Sequence, residues 1–397
     1  MVGSAGVSKP PQALFVSYTS LLGGAERILL DHATALPGPV VLACPEGPLA
    51  ERARVAGIGV ATIGARPVEL RASLRDRVAM PLRVAAQARE LRQIAARVTP
   101  GCVVAWGMRP LLSCAAGLRG LHPQPPLVFQ HNDLLPGPLI GRAVRAAAQR
   151  AALTIALSQA IADDLDPARK LTIEVVRPGV DLHRFRPPRR SAQPGEPDTP
   201  RSGSQAERGI RLPRRTTAPV ALVLGAIVDW KRPDLALEAV ALAAHELPDL
   251  RVRLAGAPLA ASGDRLLAAL RERAARPDLS GRVEFADQVE DVPAALAAST
   301  CLLHCADREP YGMALVEALA CGRPVVAPAA AGPLEIVDAS CGALYPPGDA
   351  HAAAAALVDV VRRSAELGPA ARERAAAAFD RDQARVRFRS LIVELTG

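Results

Sequence analysis

The stretch EPYGMALVEALACGRPVVAPAAAGPLEIV, from Glu309 to Val337, sets the reading of the whole chain. Glu309 and Glu317 stand eight residues apart on either side of a turn containing Gly312. A helix opening at Tyr311 and Gly312 would present the backbone N–H groups of Met313, Ala314 and Leu315 at its N-terminus, a ready anion site. Glu317 would follow about one turn further in, still within reach of a polyol held at that terminus. Apolar runs flank the acidic loop, STCLLHC from Ser299 before it and PVVAP from Pro324 after it; both are short and bounded by breakers, as buried strands are. The unit is strand, acidic loop, helix, strand, with its polar residues gathered at one edge of a sheet.

At 397 residues the chain is too long for one ordinary core and implies two α/β domains. The formal charge of +8 would by itself fit nucleic acid, anionic lipid or a phosphorylated small molecule. Half of that excess falls between Pro187 and Ala218, where seven Arg face three acidic residues in a stretch with too little apolar content to fold alone. No aromatic-interleaved basic surface or reader motif accompanies the charge, which argues against a nucleic-acid partner. The seven cysteines are odd in number, several lie in apolar runs, and no signal-like segment precedes them, so reduced thiols in a cytoplasmic protein are expected. His304 between Cys301 and Cys305 hints at a metal cluster. Strand alternation would instead place both cysteines on one face and His304 on the other, making the thiols core residues. No apolar span reaches transmembrane length, so any membrane contact would be peripheral, on the inner face of the cell membrane.

Along the chain, strand-like runs and helices alternate. ALFVSYT from Ala13 leads to a turn with Gly23 and Gly24, where close backbone approach would suit phosphate, although a simple tight turn explains the pair equally well. A helix from Val78 to Val98 carries Arg83, Arg89, Arg92 and Arg97 beside an apolar series of Leu82, Ala85, Leu91 and Ile94. It is either a surface that attracts anionic lipid or an ordinary layer helix with a solvated basic face. PLVFQH places His131 at the carboxyl end of a strand, where open α/β sheets hold ligands. In the second half, VALVL is followed by Gly225 and by the pair Lys231-Arg232, just before Pro233 in the first turn of a helix. Two cations before a positive helix terminus conflict electrostatically unless an anion or solvent resolves it. Cations and free N–H groups suit a diphosphate, and carboxylates suit sugar hydroxyls, so the constellation describes a nucleoside-diphosphate sugar.

The motifs SLLGGAER at Ser20, FQHND at Phe129, RPGVDLHRF at Arg177, LGAIVDWKRPDLALEA at Leu224 and above all EPYGMALVEALACGRPVVAP at Glu309 resemble those of retaining glycosyltransferases of the GT-B fold, family four. The resemblance implies two Rossmann-like α/β domains facing each other across a cleft. It divides the chain into an acceptor-side domain at 1–186, a disordered linker at 187–218, a nucleotide-sugar domain at 219–375 and a closing helix at 376–397 that could pack on the first domain. It further implies transfer of a hexose from a UDP-sugar or GDP-mannose to an acceptor hydroxyl in glycolipid, polysaccharide or small-glycoconjugate synthesis, with no tightly bound cofactor and no metal. By the same resemblance Glu309 faces the hexose hydroxyls, the backbone from Tyr311 through Gly312 and Met313 to Ala314 faces sugar or phosphate, and Glu317 faces the ribose. Lys231 neutralises the diphosphate, His131 contacts the transferred sugar, and Gly23-Gly24 lies over the phosphates. The chain departs from the family pattern at Ala226, where many relatives carry Arg; Arg232, where relatives often have Gly, is the candidate substitute charge. A sugar-nucleotide epimerase or hydrolase, or a catalytically silent nucleotide-sugar-binding protein, are the alternatives.

Overall fold

Runs such as VVLAC and CVVAW are apolar at every position, and such strands are buried on both faces only in a parallel sheet covered by helices on each side. A computed structural model, which describes residues 13–64, 74–188 and 218–397, contains two such sheets. All but the ends of the stretch expected as a linker, 187–218, lies outside the described residues.

The chain divides into two compact units, one running to Gly179 and resuming at Arg381–Gly397, the other spanning Val180–Asp380. In the first, strands β1 (Ala13–Val16), β2 (Val40–Cys44), β3 (Gly59–Thr62), β4 (Cys102–Trp106), β5 (Leu127–His131), β6 (Leu153–Ala156) and β7 (Ile173–Val175) are ordered β3-β2-β1-β4-β5-β6-β7. Every neighbouring pair is parallel, and the order reverses between β1 and β4. Side chains alternate between the two faces. Leu14, Val16, Val103, Ala105 and Phe129 pack with Leu91, Ile94, Leu111, Cys114 and Val144. On the opposite face the Phe15 ring lies 6.2 Å from both Trp106 and Phe388, and Phe388 stacks on His32 at 4.2 Å. Phe388 belongs to the helix Arg381–Thr396, so the last helix of the chain completes the first unit.

The Arg-rich helix spans Leu74–Val98, and its buried stripe differs from the expected one. Leu82 is 75% exposed, whereas Gln87, Ala88, Leu91, Ile94 and Ala95 are buried. The neighbouring helix Met108–Gly117 packs closely on the buried part: a Cβ on Gly117 would meet the Ala88 carbonyl oxygen at 2.5 Å. Arg92 donates to the Gly120 carbonyl at 3.1 Å.

The stretch RPGVDLHRF crosses from one unit to the other, with the division at Gly179 rather than near 186. Val180 N–H donates to the Phe379 carbonyl at 2.8 Å, and the Arg372 guanidinium holds the carbonyls of Phe185, Ala320 and Leu182 at 2.7, 2.8 and 3.0 Å. The second unit contains β8 (Val220–Leu224), β9 (Arg251–Ala255), β10 (Val283–Ala286), β11 (Cys301–Leu303), β12 (Val325–Pro328) and β13 (Gly342–Tyr345), ordered β10-β9-β8-β11-β12-β13 and again wholly parallel. The edge strand β13 carries no strong strand pattern in the sequence. It pairs with β12 so closely that a Cβ on Gly342 would collide with the Val325 carbonyl. The Ala-rich stretch from Ala350 forms two helices, Ala350–Arg362 and Ser364–Ala378. All seven cysteines are buried and free, with Cys301 and Cys305 in the core of the second unit. Among the described residues no helix is long and apolar enough to cross a membrane.

Candidate active site

In the second unit the strand order reverses between β8 and β11, and loops diverging there open a crevice at the carboxyl ends of the strands. Four segments line that edge: the turn after β8, the loop after β11, the helix Met313–Ala320 and the loop after β12.

Gly225 ends β8 at φ +140°, a conformation L side chains rarely adopt, and a Cβ there would stand 2.8 Å from Lys231 Nζ. The chain next makes a single 3-10 turn, Asp229–Lys231, and enters the helix Pro233–Ala243 through Arg232 at φ 49°, ψ 50°. Lys231 Nζ lies 5.1 Å from the centre of the Trp230 ring, over its face. No carboxylate lies within ion-pair distance of Lys231 among the described residues. Arg232 differs: its guanidinium meets Asp234 at 2.9 Å and Asp307 at 3.2 Å, and these partners raise its pKa above the ordinary value.

Glu309 sits in the loop after β11 with its side chain only 13% exposed, and its Oε2 lies 3.3 Å from His304 Nε2. By geometry the ring nitrogen makes no well-aligned hydrogen bond among the described residues, although it lies within ion-pair distance of the carboxylate. Burial raises the carboxyl pKa; His304, Lys231 and the Tyr311 N–H outweigh it and hold the net value below the usual range. Glu309 is therefore an anion at neutral pH despite its burial. Its backbone carbonyl accepts from Gly332 N–H at 3.0 Å, and Gly332 lies so close to Tyr311 that a Cβ would strike its carbonyl oxygen. The loop is thereby fixed against the segment after β12.

Gly312, at φ +115° and ψ 57°, caps the helix Met313–Ala320. Its carbonyl accepts from Leu315 and Val316, leaving the Met313 and Ala314 amides as the open donors of the first turn. Tyr311 is buried, whereas Met313, Ala314 and Glu317 are partly exposed on this edge. The second unit thus brings Lys231 near Glu309, sets Arg232 beside Lys231, and places Tyr311, Gly312, Met313 and Ala314 in the turn that follows Glu309, with Glu317 one turn further along the helix. A larger depression of about 680 Å³, bordered by Arg184, Arg186, Glu290 and Asp291, is lined by none of them.

Gly23, Gly24 and His131 belong to the first unit. Gly23 caps the helix Gly24–Ala35, and its N–H donates to Glu26 Oε2 at 3.1 Å, so this donor already faces a carboxylate. A Cβ on Gly24 would meet nothing within 4 Å. His131 ends β5 with no exposed surface, and neither ring nitrogen has a hydrogen-bond partner among the described residues. Burial lowers its pKa to about 3, which makes it a neutral imidazole with one donor and one acceptor. The neighbouring Gln130 amide is equally buried and equally unpartnered.

Strand alternation does not single out His304 as a site residue, because that pattern extends past the end of β11 at Leu303. The strand stops at Leu303, which frees His304 to turn toward Glu309, and the position of a histidine just beyond a buried strand was the available signal. Among the described residues no group of three or more His, Cys, Asp or Glu side chains could hold a metal ion.

Residues 22–184 match the family described as Glycosyltransferase Family 4, and residues 207–377 match Glycosyl transferases group 1. A D-inositol 3-phosphate glycosyltransferase of Mycobacterium marinum is 33% identical over 225 residues, covering 53% of this chain and 41% of that protein. One of Streptomyces coelicolor is 34% identical over 194 residues, covering 47% of this chain and 42% of that protein. The chain thus spans less than half the length of these curated relatives. Among solved structures, Anabaena HepE in complex with UDP and glucose superposes with a TM-score of 0.77 at 21% identity, covering 97% of this chain and 98% of that one. Sucrose-phosphate synthase of Thermosynechococcus elongatus superposes with a TM-score of 0.73 at 18% identity, covering 97% and 99%.

Proposed function

This chain belongs to the group 1 glycosyltransferases of the GT-B fold, and from that premise we propose that it transfers a hexose, with retention of anomeric configuration, from a nucleoside-diphosphate sugar to an acceptor hydroxyl. The observation that carries the proposal is the pairing of Lys231, a cation without an ion-pair partner among the described residues, with a buried anionic Glu309 beside the open amides of Met313 and Ala314. A diphosphate satisfies Lys231 and the helix terminus, and a sugar supplies hydroxyl donors to Glu309.

In the proposed reaction the bond from the anomeric carbon to the diphosphate oxygen breaks while a bond to the acceptor oxygen forms on the same face. The departing phosphate oxygen takes the acceptor proton. Lys231 and the helix amides stabilise the charge that builds on the leaving diphosphate, a task for preorganised donors. Glu309 orients the hexose by accepting from its hydroxyls, and Glu317 does the same for the ribose. Neither carboxylate needs to remove a proton. His131, neutral and without a hydrogen-bond partner among the described residues, suits a sugar hydroxyl better than an anion, because it brings a donor and an acceptor but no charge. The candidate donors are UDP-sugars and GDP-mannose.

A panel of UDP-, GDP- and ADP-sugars scored by protection against thermal unfolding tests the donor. The matching donor, incubated with sugar, inositol phosphate and glycolipid acceptors, tests transfer, and proton NMR of the product reads its anomeric configuration. Protection by no nucleotide sugar would refute the proposal. Release of free sugar with every acceptor would assign hydrolysis instead.

A further inference from the structure

Arg232 occupies a backbone conformation that favours glycine, φ 49° and ψ 50°, between the turn that carries Lys231 and the helix Pro233–Ala243. A side chain kept at such a position needs surroundings that over-determine it. Here they are two carboxylates. Nε lies 3.1 Å from both oxygens of Asp234, Nη2 lies 2.9 Å from Asp234 Oδ2, and Nη1 lies 3.2 and 3.4 Å from the two oxygens of Asp307. A second tie runs parallel to the first, because Asp307 N–H donates to the Trp230 carbonyl at 3.2 Å. Trp230 precedes Lys231, and Asp307 stands two residues before Glu309. The turn that bears the cation and the loop that bears the buried anion are therefore joined twice, once by backbone and once through Arg232.

We infer that Arg232 is a positioning residue: with Asp234 and Asp307 it locks the Lys231 turn to the Glu309 loop, and it does not itself bind the diphosphate. The charge balance carries the second half of that statement. One guanidinium facing two carboxylates leaves a local charge of −1, which repels an arriving phosphate, whereas Lys231 next to it has no carboxylate within ion-pair distance among the described residues. A phosphate could reach Arg232 only by displacing a forked pair with Asp234. The positive charge that Ala226 fails to supply is therefore not restored by Arg232, and Lys231 with the helix amides serves the leaving group alone. The role assigned to Arg232 rests on the reading of Lys231 and Glu309 as donor-binding groups.

Two measurements on the full chain test it. The first needs no ligand: a double-mutant cycle of Arg232→Gly and Asp307→Asn in equilibrium unfolding. Glycine suits the backbone and asparagine preserves shape, so both variants should fold. Non-additive changes in unfolding midpoint are expected, and strict additivity would overturn the clamp. The second is calorimetric titration with UDP, GDP and ADP, followed by steady-state transfer with the donor that the tightest of them identifies. Each single variant and the double should weaken nucleoside-diphosphate binding by a similar factor of about three to ten. Transfer, which needs Lys231 and Glu309 in register, should lose more in kcat than binding loses in affinity. Arg232→Gly abolishing nucleotide binding while Asp307→Asn binds as tightly as the wild type or tighter would make Arg232 a phosphate ligand and overturn the inference. If the wild-type protein binds none of the three nucleotides, the donor reading falls, and the unfolding cycle alone decides the clamp.

Discussion

Replacing Gly225 by alanine separates the electrostatic role of Lys231 from backbone strain. An added methyl would stand 2.8 Å from Lys231 Nζ and 3.4 Å from its Cδ, so the ammonium must leave its present position. The residue would also be held at φ +140°, which costs about 1–3 kcal/mol for an L side chain. In a unit of this size each kcal/mol lowers the melting temperature by about 2–4 °C. Gly281 supplies the control: at φ +75° it is strained for alanine as well, but a Cβ there meets nothing within 4 Å. Both variants should therefore melt at lower temperature. Only Gly225→Ala should also lose nucleoside-diphosphate affinity, by about 10- to 150-fold if a charge-assisted contact worth about 1.5–3 kcal/mol is lost. Calorimetric titration with UDP, GDP and ADP reads the affinity, and scanning calorimetry reads the melting temperature. Equal affinities for wild type and Gly225→Ala, in a variant that has lost stability, would refute Lys231 as the counter-charge of the diphosphate.

Two further outcomes are expected. Burial lowers the pKa of both His131 and His32 to about 3, with Arg385 adding to the effect at His32. The unfolded chain protonates near the ordinary value of 6.5, so below that pH it binds more protons than the native form. The stability of the first unit is thus full above about pH 6.5 and falls by about 1.4 kcal/mol per pH unit for each histidine down to about pH 3. Unfolding by denaturant at pH 7 and pH 5, followed by Trp106 fluorescence in a Trp230→Phe background, measures the slope. It should be shallower in His32→Phe, and no slope in either protein would contradict the burial argument. At the donor site, Glu317→Ala should weaken nucleoside-diphosphate binding by about 10- to 150-fold, whereas Glu309→Gln should slow transfer more than it weakens the free nucleotide. Equal losses of nucleotide affinity in both variants would dissolve the division between ribose and hexose contacts.

The motif at Glu309 was legible because its signals are local. Gly312 ends a loop and opens a helix, and the flanking runs become β11 and β12. Long-range arrangements were not. Arg232 reads in sequence as a spare cation, and only the return of the chain 75 residues later, bringing Asp307, shows where its charge is spent. His304 turned on where a strand ends, which alternation alone does not fix. The edge strand β13 has little pattern of its own because it lies against a neighbour that supplies the pairing. In the Arg-rich helix the apolar periodicity matches the buried side from Leu91 onward, whereas Leu82 lies in solvent and Ala88 packs against Gly117. Which part of an amphipathic stripe is buried depends on what packs against it, a property of another segment.

The contribution of Phe388 to the first unit has a consequence for the order in which the protein can assemble during synthesis. Its aromatic partners, Phe15 and His32, leave the ribosome long before it does, because the helix Arg381–Thr396 that carries it follows the whole of the unit Val180–Asp380. At about 5–20 residues per second the intervening two hundred residues take about 10–40 s to make. Throughout that interval Phe15 and His32 lack the Phe388 ring that packs on them, whereas the unit Val180–Asp380 is contiguous and can close as soon as it is complete. Of these two units, the one whose synthesis starts first is therefore the one that finishes folding second, and its Phe15 and His32 rings stay without their Phe388 partner until the unit Val180–Asp380 has been made.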